Sequence, residues 1–189
     1  MHKIAIFASG RGSNAEKIIK YFQQHPTIKV QLIVSNKADA PVLQLAEKFG
    51  ISSLVIHKAR FLQTNDLLDE LESFKINFIV LAGFLWLIPS YLVHAFSGRI
   101  VNIHPSLLPK YGGKGMYGMK VHEAVFESKD QETGITIHHV NEHYDEGSII
   151  FQAKCAVTPL DTPVTIAQKV QLLEHQYFPV IIENMLLTT

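Results

Sequence analysis

The chain of 189 residues has the length of one domain, and its balance of 47% hydrophobic and 18% charged residues excludes a disordered protein. Lysine plus arginine equal aspartate plus glutamate at 17 each, so the basic surplus typical of nucleic-acid-binding proteins is missing. One cysteine, Cys155, excludes a disulfide within the chain. No apolar run approaches the ~20 residues of a membrane helix, and residues 1–3 lack a signal-peptide layout, so we expect a cytoplasmic protein without membrane or nucleic-acid partners.

Strand and helix patterns alternate through the first hundred residues. Short apolar runs predict strands at residues 3–8, 30–34, 53–56, 78–82 and 100–103. Apolar residues at helical spacing predict helices at residues 15–22, 41–49, 66–74 and 89–96. The run at 78–82 is the most apolar, so we expect it at the centre of the sheet. This alternation indicates an α/β fold with a mostly parallel twisted sheet and helices on both faces.

The second half of the chain changes character. A loop rich in proline, glycine and lysine at residues 106–115 precedes a predicted helix at 118–126. Alternation at period two predicts a strand at 134–140, and a further strand is expected at 148–157. A short polar loop joins these two strands, which indicates an antiparallel hairpin at the edge of the sheet, near the C-terminal end.

A final helix is predicted to start at Thr162, with Pro163 in its first turn. Pro179 is expected to end or kink that helix. The sequence contains no internal repeat and no linker composition. We therefore predict a single domain over residues 1–189.

A glycine-rich turn, GRGSNA at residues 10–15, joins the first strand to the first helix. Backbone N–H groups at a helix N-terminus favour an anion, so this turn is a candidate phosphate site. The spacing also matches the dinucleotide fingerprint G-x-G-x-x-A, which requires an acidic residue after the second strand. Asn36 stands there instead. We therefore favour a lone phosphate, with a purely structural turn as the alternative.

A second candidate site follows the fifth strand, where open α/β sheets place their ligands. Strand alternation puts Asn102 and His104 on one side, an amide beside an imidazole, which suits oxyanion stabilisation and proton transfer. The acidic loop at residues 141–147 contains Asp145, whose carboxylate would stabilise the His104 cation if the two groups meet. The alternatives are a structural Asn-x-His pair and an ordinary solvated loop.

A metal site is not predicted, although the chain has ten histidines. Neither H-E-x-x-H nor a paired-cysteine spacing occurs. His138 and His139 are neighbours on a predicted strand, so their side chains point to opposite faces and do not share an ion.

Five segments together resemble the folate-dependent phosphoribosylglycinamide formyltransferases of purine synthesis. They are GRGSN at residues 10–14, SNKADA at 35–40, LAGF at 81–84, NIHPSLLPK at 102–110 and DEG at 145–147. The NIHPSLLP stretch is typical of all formyl-tetrahydrofolate enzymes, and the first segment narrows the resemblance to the glycinamide ribonucleotide branch. The similarity covers nearly the whole chain in order and implies a Rossmann-like formyltransferase fold.

The resemblance also implies a reaction and its residues. The formyl group of 10-formyltetrahydrofolate would pass to the amine of N1-(5-phosphoribosyl)glycinamide, two small-molecule partners, without a metal. The implied catalytic residues are Asn102, His104 and Asp145. The implied contacts to the ribonucleotide and its phosphate are Gly12, Ser13, Asn14 and Glu174. The implied folate contacts are Leu85, Trp86, Leu87, Ile88, Asn102, Asn141, Glu142, His143, Tyr144 and Asp145.

Two other functions stay open at this level. A formyltetrahydrofolate hydrolase has the same Asn-His-Asp site but sends the formyl group to water. The phosphate turn favours transfer, and we expect no N-terminal regulatory domain of the kind that the hydrolase carries. A nucleotide-binding module using the G-x-G-x-x-A turn is disfavoured by Asn36. Monomer and homodimer are equally compatible with the sequence.

Overall fold

The computed structural model describes residues 1–188, and within them seven strands form one sheet. The strands are β1 (His2–Phe7), β2 (Ile28–Ser35), β3 (Ser52–Val55), β4 (Phe78–Leu81), β5 (Ile100–His104), β6 (Glu132–His139) and β7 (Ile149–Ala156). Their order is β3-β2-β1-β4-β5-β6-β7. The first five strands in this order, β3 to β5, are all parallel to their neighbours, whereas β6 is antiparallel to both β5 and β7. The predicted central position of β4 and the predicted edge hairpin are both confirmed.

Helices cover both faces of this sheet. They are α1 (Ser13–Phe22), α2 (Pro41–Lys48), α3 (Lys58–Gln63), α4 (Asp66–Ser73), α5 (Ser90–Ala95), α6 (Met119–Glu127) and α7 (Pro163–Leu187). One core layer contains buried residues of α1, α2, α6 and α7, and the other contains those of α3, α4 and α5. Side chains of β1 alternate between the layers, with Ile4 and Ile6 in the first and Ala5 and Phe7 in the second.

No helix within residues 1–188 is both long and apolar enough to cross a membrane. The predicted elements agree with the observed ones to within one or two residues at most ends, but α3 is missing from the prediction. It has six residues, of which only Phe61 is buried, so it leaves almost no periodic signal.

The last helix begins as predicted, because the Thr162 hydroxyl accepts a hydrogen bond from the Thr165 N–H and a proline occupies the first turn. The predicted end of the helix at Pro179 is wrong, since α7 continues to residue 187. A proline inside a helix costs about 3 kcal/mol. Phe178, Ile182 and Leu186 are almost fully buried beside it, and each such side chain contributes ~1.5–3 kcal/mol. Packing on the sheet therefore outweighs the lost hydrogen bond.

Candidate active site

The candidate active site lies at the carboxyl end of β5, where antiparallel β6 runs alongside. In their register Asn102 pairs with His138, and His104 pairs with Thr136. Asn102 and His104 are two positions apart, so their side chains share one face of the strand. Asp145, in the loop between β6 and β7, contacts both of them and His138. The structure thus brings together the three residues predicted as catalytic and adds a fourth.

The Asp145 carboxylate is the centre of this group, with a side chain only 11% exposed. Its Oδ2 lies 3.4 Å from His104 Nδ1, and its Oδ1 lies 3.4 Å from Asn102 Nδ2 and 3.7 Å from His138 Nε2. The Gly113 N–H donates to Oδ2 at 2.9 Å. Burial raises the pKa of Asp145, but hydrogen bonds from His104 and His138, the His104 charge and the Gly113 N–H outweigh it. Together they hold the pKa of the carboxyl well below its usual range.

The His104 ring, which is 4% exposed, has an oxygen acceptor at each nitrogen. Nε2 donates to the backbone carbonyl oxygen of Tyr111 at 2.7 Å, and Nδ1 faces the Asp145 carboxylate. A carbonyl oxygen and an ionised carboxylate only accept hydrogen bonds. The imidazolium form satisfies both acceptors, because it carries a proton on each nitrogen.

The orientation of the Asn102 amide follows from its neighbours. The Asp145 carboxylate oxygen near Asn102 only accepts hydrogen bonds, and His138, whose Nδ1 donates to the His139 carbonyl oxygen at 2.7 Å, presents its Nε2. Asn102 Nδ2 lies 3.1 Å from that nitrogen and also faces Asp145. The amide nitrogen, and not the amide oxygen, is therefore held toward the carboxylate. No group of three or more histidine, cysteine, aspartate or glutamate side chains in residues 1–188 is placed to hold a metal ion.

The glycine-rich turn places Gly12 at the start of α1. Its φ of 76° is in the left-handed region, and a Cβ there would lie 2.6 Å from Val42 Cγ2, so only glycine fits without displacing α2. No side chain within the described part of the chain caps this helix end. The first N–H groups of a helix have no partner inside the helix, and they face an anion favourably. This end of α1 is therefore available to a phosphate.

A polar cluster joins α1 to α7, which we call the α1–α7 cluster: Ser13, Asn14, Gln171 and Glu174, of which Asn14 is buried and Gln171 is exposed. Asn14 Nδ2 donates to Glu174 Oε2 at 2.9 Å, and Gln171 Nε2 lies 3.4 Å from Ser13 Oγ. The buried Asn14 Oδ1 has no hydrogen-bond partner among residues 1–188. Burial raises the pKa of Glu174, and the Asn14 hydrogen bond and the His104 charge oppose this rise. The cluster therefore lies within electrostatic reach of His104 and holds a buried oxygen that a ligand can satisfy.

The segment 85–88, predicted to contact folate, follows β4 without regular structure. Leu85 and Leu87 are each 37% exposed and offer apolar surface to a ligand. The Trp86 ring packs against the rings of Phe61 and Phe84, with ring centroids 5.6 and 6.1 Å apart. Ile88 is 2% exposed and belongs to the core layer of α3, α4 and α5, so it supports the segment from below.

The other predicted folate segment occupies the loop that ends at Asp145. It comprises Asn141, Glu142, His143 and Tyr144. The Asn141 side chain accepts a hydrogen bond from the His143 N–H at 2.9 Å, which shapes the loop. Glu142 lies 3.5 Å from His94 on α5, the helix that follows segment 85–88. This contact joins the loop to the element directly after the other folate segment.

Comparison with known proteins identifies the family. The signature of the formyl transferase family matches residues 2–182, nearly the full length of the chain. The chain belongs to that family.

Relatives of this formyl transferase chain carry a more specific name. The chloroplastic phosphoribosylglycinamide formyltransferase of Arabidopsis thaliana is 44% identical over 93% of this chain. The match spans only 62% of the length of that protein. The Bacillus subtilis phosphoribosylglycinamide formyltransferase is 36% identical over 98% of this chain and 95% of its own. The crystal structure of phosphoribosylglycinamide formyltransferase from Bacillus halodurans superposes with a TM-score of 0.87 at 33% identity, covering 97% of this chain and 95% of that one.

Four residues near the site are not among those predicted from the sequence of this formyl transferase. Gln171 lies three positions before Glu174 on α7, so helical spacing places both on one face and could have indicated Gln171. His138 needs the β5–β6 register, and Tyr111 acts through its backbone, so neither leaves a local signal. Burial and the His104 charge lower the pKa of His122, whose buried Nδ1 has no partner in residues 1–188.

Proposed function

We propose that this formyl transferase chain works as a single domain that transfers the formyl group of 10-formyltetrahydrofolate to the amine of N1-(5-phosphoribosyl)glycinamide. The products are the N-formyl compound and tetrahydrofolate, in de novo purine synthesis. One observation carries the proposal: Asn102 and His104 share the buried Asp145 carboxylate, beside the α1–α7 cluster. The names of the relatives support formyl transfer to phosphoribosylglycinamide.

The catalytic task is to stabilise the oxyanion that forms when the amine attacks the formyl carbon. The His104 Nδ1–H and the Asn102 Nδ2–H, which point to Asp145 in the ligand-free protein, donate to the developing oxygen once both substrates are bound. The Asp145 carboxylate beside Nδ1 stabilises positive charge on the His104 ring. The new C–N bond forms, the bond from carbon to folate N10 breaks, and one proton passes from the amine to N10 through His104 or a water.

Binding is divided between two regions. Gly12, Ser13 and Asn14 hold the ribonucleotide phosphate through the N–H groups at the start of α1 and the Ser13 hydroxyl, and Glu174 holds its ribose and glycinamide end. The apolar segment 85–88 and the loop at 141–145 hold the folate. Two substrates bound side by side react with a large entropic advantage over the same molecules free in solution.

The proposed setting is the cytoplasm, with small molecules as the only ligands. The equal numbers of acidic and basic residues support the absence of a nucleic-acid partner, and the single cysteine accords with a reducing compartment. The chain acts as a monomer or a homodimer.

The function is tested by the folate absorbance change after mixing the protein with 10-formyltetrahydrofolate, with and without the ribonucleotide. We expect a change only when the ribonucleotide is present. An equal change in its absence would identify a hydrolase, and no change with folded protein would contradict the proposal. Ser13→Ala provides a matched variant: losing a hydrogen bond to a charged group raises the KM for the ribonucleotide roughly 10- to 100-fold, with the folate KM unchanged.

Glu174→Gln is expected to stabilise the ligand-free protein at neutral pH while weakening ribonucleotide binding. Burial raises the pKa of Glu174, so folding favours its neutral form. The stability that this group contributes is full below the ordinary glutamate pKa of about 4.3, and it is lost as the pH rises through the raised value. Glutamine avoids this loss and still offers Asn14 an oxygen acceptor.

Thermal unfolding at pH 7 and pH 4 measures this effect, since each 1 kcal/mol moves the Tm of a chain this size by ~2–4 °C. We expect a higher Tm for Glu174→Gln at pH 7, no gain at pH 4, and a raised ribonucleotide KM. Glu127→Gln, at an exposed position on α6, is the matched control with no expected change. A lower Tm for Glu174→Gln at pH 7 would contradict the prediction.

A further inference from the structure

The catalytic imidazole lies between two residues with unusual backbones. Tyr111 and Asp145 have φ angles of 54° and 59°, a left-handed conformation that side-chain-bearing residues rarely adopt. Such a conformation is unfavourable for the backbone and persists only where the surroundings fix it. The Tyr111 carbonyl accepts from His104 Nε2, and the Asp145 carboxylate faces Nδ1. Both strained residues therefore aim an acceptor at the same ring.

Tyr111 is fixed at its other end by a residue that the catalytic site does not include. Its hydroxyl donates to Asp130 Oδ2 at 3.0 Å, and its ring packs against the core layer of α1, α2, α6 and α7. Asp130 follows α6 and precedes β6, and its side chain is 20% exposed. The Ser106 hydroxyl holds the adjoining Lys110 carbonyl at 2.6 Å. The segment at 110–111 is thus held by both side chain and backbone.

We propose that Tyr111 and Asp130 are a positioning pair for His104, which rests on the proposed function of that histidine. Asp130 fixes the Tyr111 hydroxyl, the tyrosine ring fixes its own backbone, and the carbonyl fixes Nε2. With Nε2 held by the Tyr111 carbonyl, Nδ1 is the nitrogen that faces Asp145 and the proposed reacting centre. The pair touches no substrate, so it acts on the rate of the chemical step and leaves substrate binding unchanged.

Lys110 offers an internal control, because it binds the same carboxylate without lying on this path. Its Nζ lies 3.1 Å from Asp130 Oδ2, but its side chain is 66% exposed. Exposed ion pairs contribute little to folding stability, because water screens both charges. Lys110→Met removes the ion pair and leaves the bond between the Tyr111 hydroxyl and Asp130 intact.

The kinetic test compares five variants with the wild type. Tyr111→Phe and Asp130→Ala should each lower kcat about 10-fold, the effect of one hydrogen bond, with both KM values within twofold. Asp130→Asn keeps an oxygen acceptor and should restore most of kcat, and Lys110→Met should match the wild type. The double variant Tyr111→Phe with Asp130→Ala should be no slower than either single variant, since both remove one bond. Additive losses, a slow Lys110→Met, or unchanged kcat in Tyr111→Phe would overturn the pair.

A spectroscopic test needs no activity. In protein with ¹⁵N-labelled histidine, the buried Nε2–H of His104 should give its own slowly exchanging proton signal in the wild type and in Lys110→Met. It should shift or exchange faster in Tyr111→Phe and in Asp130→Ala. If the wild type shows no slowly exchanging Nε2–H signal, or if all variants show an identical signal, the positioning pair is overturned even when formyl transfer is measured. The expected signals without formyl transfer would instead contradict only the proposed function.

Discussion

His104→Ala is expected to lower kcat for formyl transfer by about 10²- to 10⁴-fold, the range for loss of a general acid or an oxyanion donor. The KM values for ribonucleotide and folate should stay within about threefold, because the phosphate turn and segment 85–88 do not depend on this ring. The folate absorbance assay gives kcat and the two KM values when each substrate is titrated in turn. The expectation follows from the His104 geometry, in which a buried ring has its Nε2 fixed and its Nδ1 directed at the shared carboxylate.

A distant histidine provides the control for this loss. His57 is exposed, precedes α3 and is not among the proposed site residues, so His57→Ala should keep wild-type turnover. Wild-type turnover in His104→Ala would remove this histidine from the mechanism. Near-equal losses in the two variants would point to a folding defect, which circular dichroism of both proteins detects.

Asp145→Asn is expected to lower kcat about 100-fold or more with the fold intact. Asparagine has the shape of aspartate and can still accept the Gly113 N–H, but it lacks the charge that stabilises the His104 cation. The unfavourable effect of burial on the charged carboxylate is outweighed in the wild type by its bonds to His104 and His138. Steady-state kinetics at neutral pH measure the loss, and turnover within threefold of the wild type would contradict it.

The same substitution has a defined pH dependence. Because the pKa of Asp145 is lowered by folding, its contribution to stability is full above the ordinary aspartate pKa of about 3.9 and is lost as the pH falls below it. The difference in unfolding free energy between wild type and Asp145→Asn should therefore shrink between pH 5 and pH 3 in urea titrations. A constant difference over this range would contradict a lowered pKa.

Asp161 is the matched control for Asp145. It is nearly fully buried, its Oδ2 lies 2.6 Å from Lys169 Nζ, and its hydrogen bond to Lys169 holds its pKa below the usual range. It lies in the turn before α7 and contacts none of the proposed site residues. Asp161→Asn should therefore lower the Tm and leave kcat unchanged, which separates loss of a structural carboxylate from loss of the catalytic one.

The sequence predicts most of the sheet because each parallel strand is a short apolar run between helices with clear periodicity. It also places Asn102 and His104 on one face, since alternation along a strand is a local property. Pattern alone leaves open whether Asp145, more than forty positions away, meets them, because that contact depends on the β5–β6 register and on a left-handed backbone; only the family resemblance implies the trio. Pro179 shows the same limit, since tertiary packing overrides a local helix-breaking signal.

The sheet changes direction between β5 and β6, at the proposed catalytic site. The parallel half carries the glycine turn and segment 85–88, which are the proposed contacts to phosphate and folate, and also Asn102 and His104. The hairpin contributes Asp145 and His138, which face those two residues. Acceptor preference can therefore be redesigned on α1 and α7 without touching the hairpin. A shorter or longer hairpin loop would instead move Asp145 together with the proposed folate contacts at 141–144, so acceptor preference is open to selection apart from folate use.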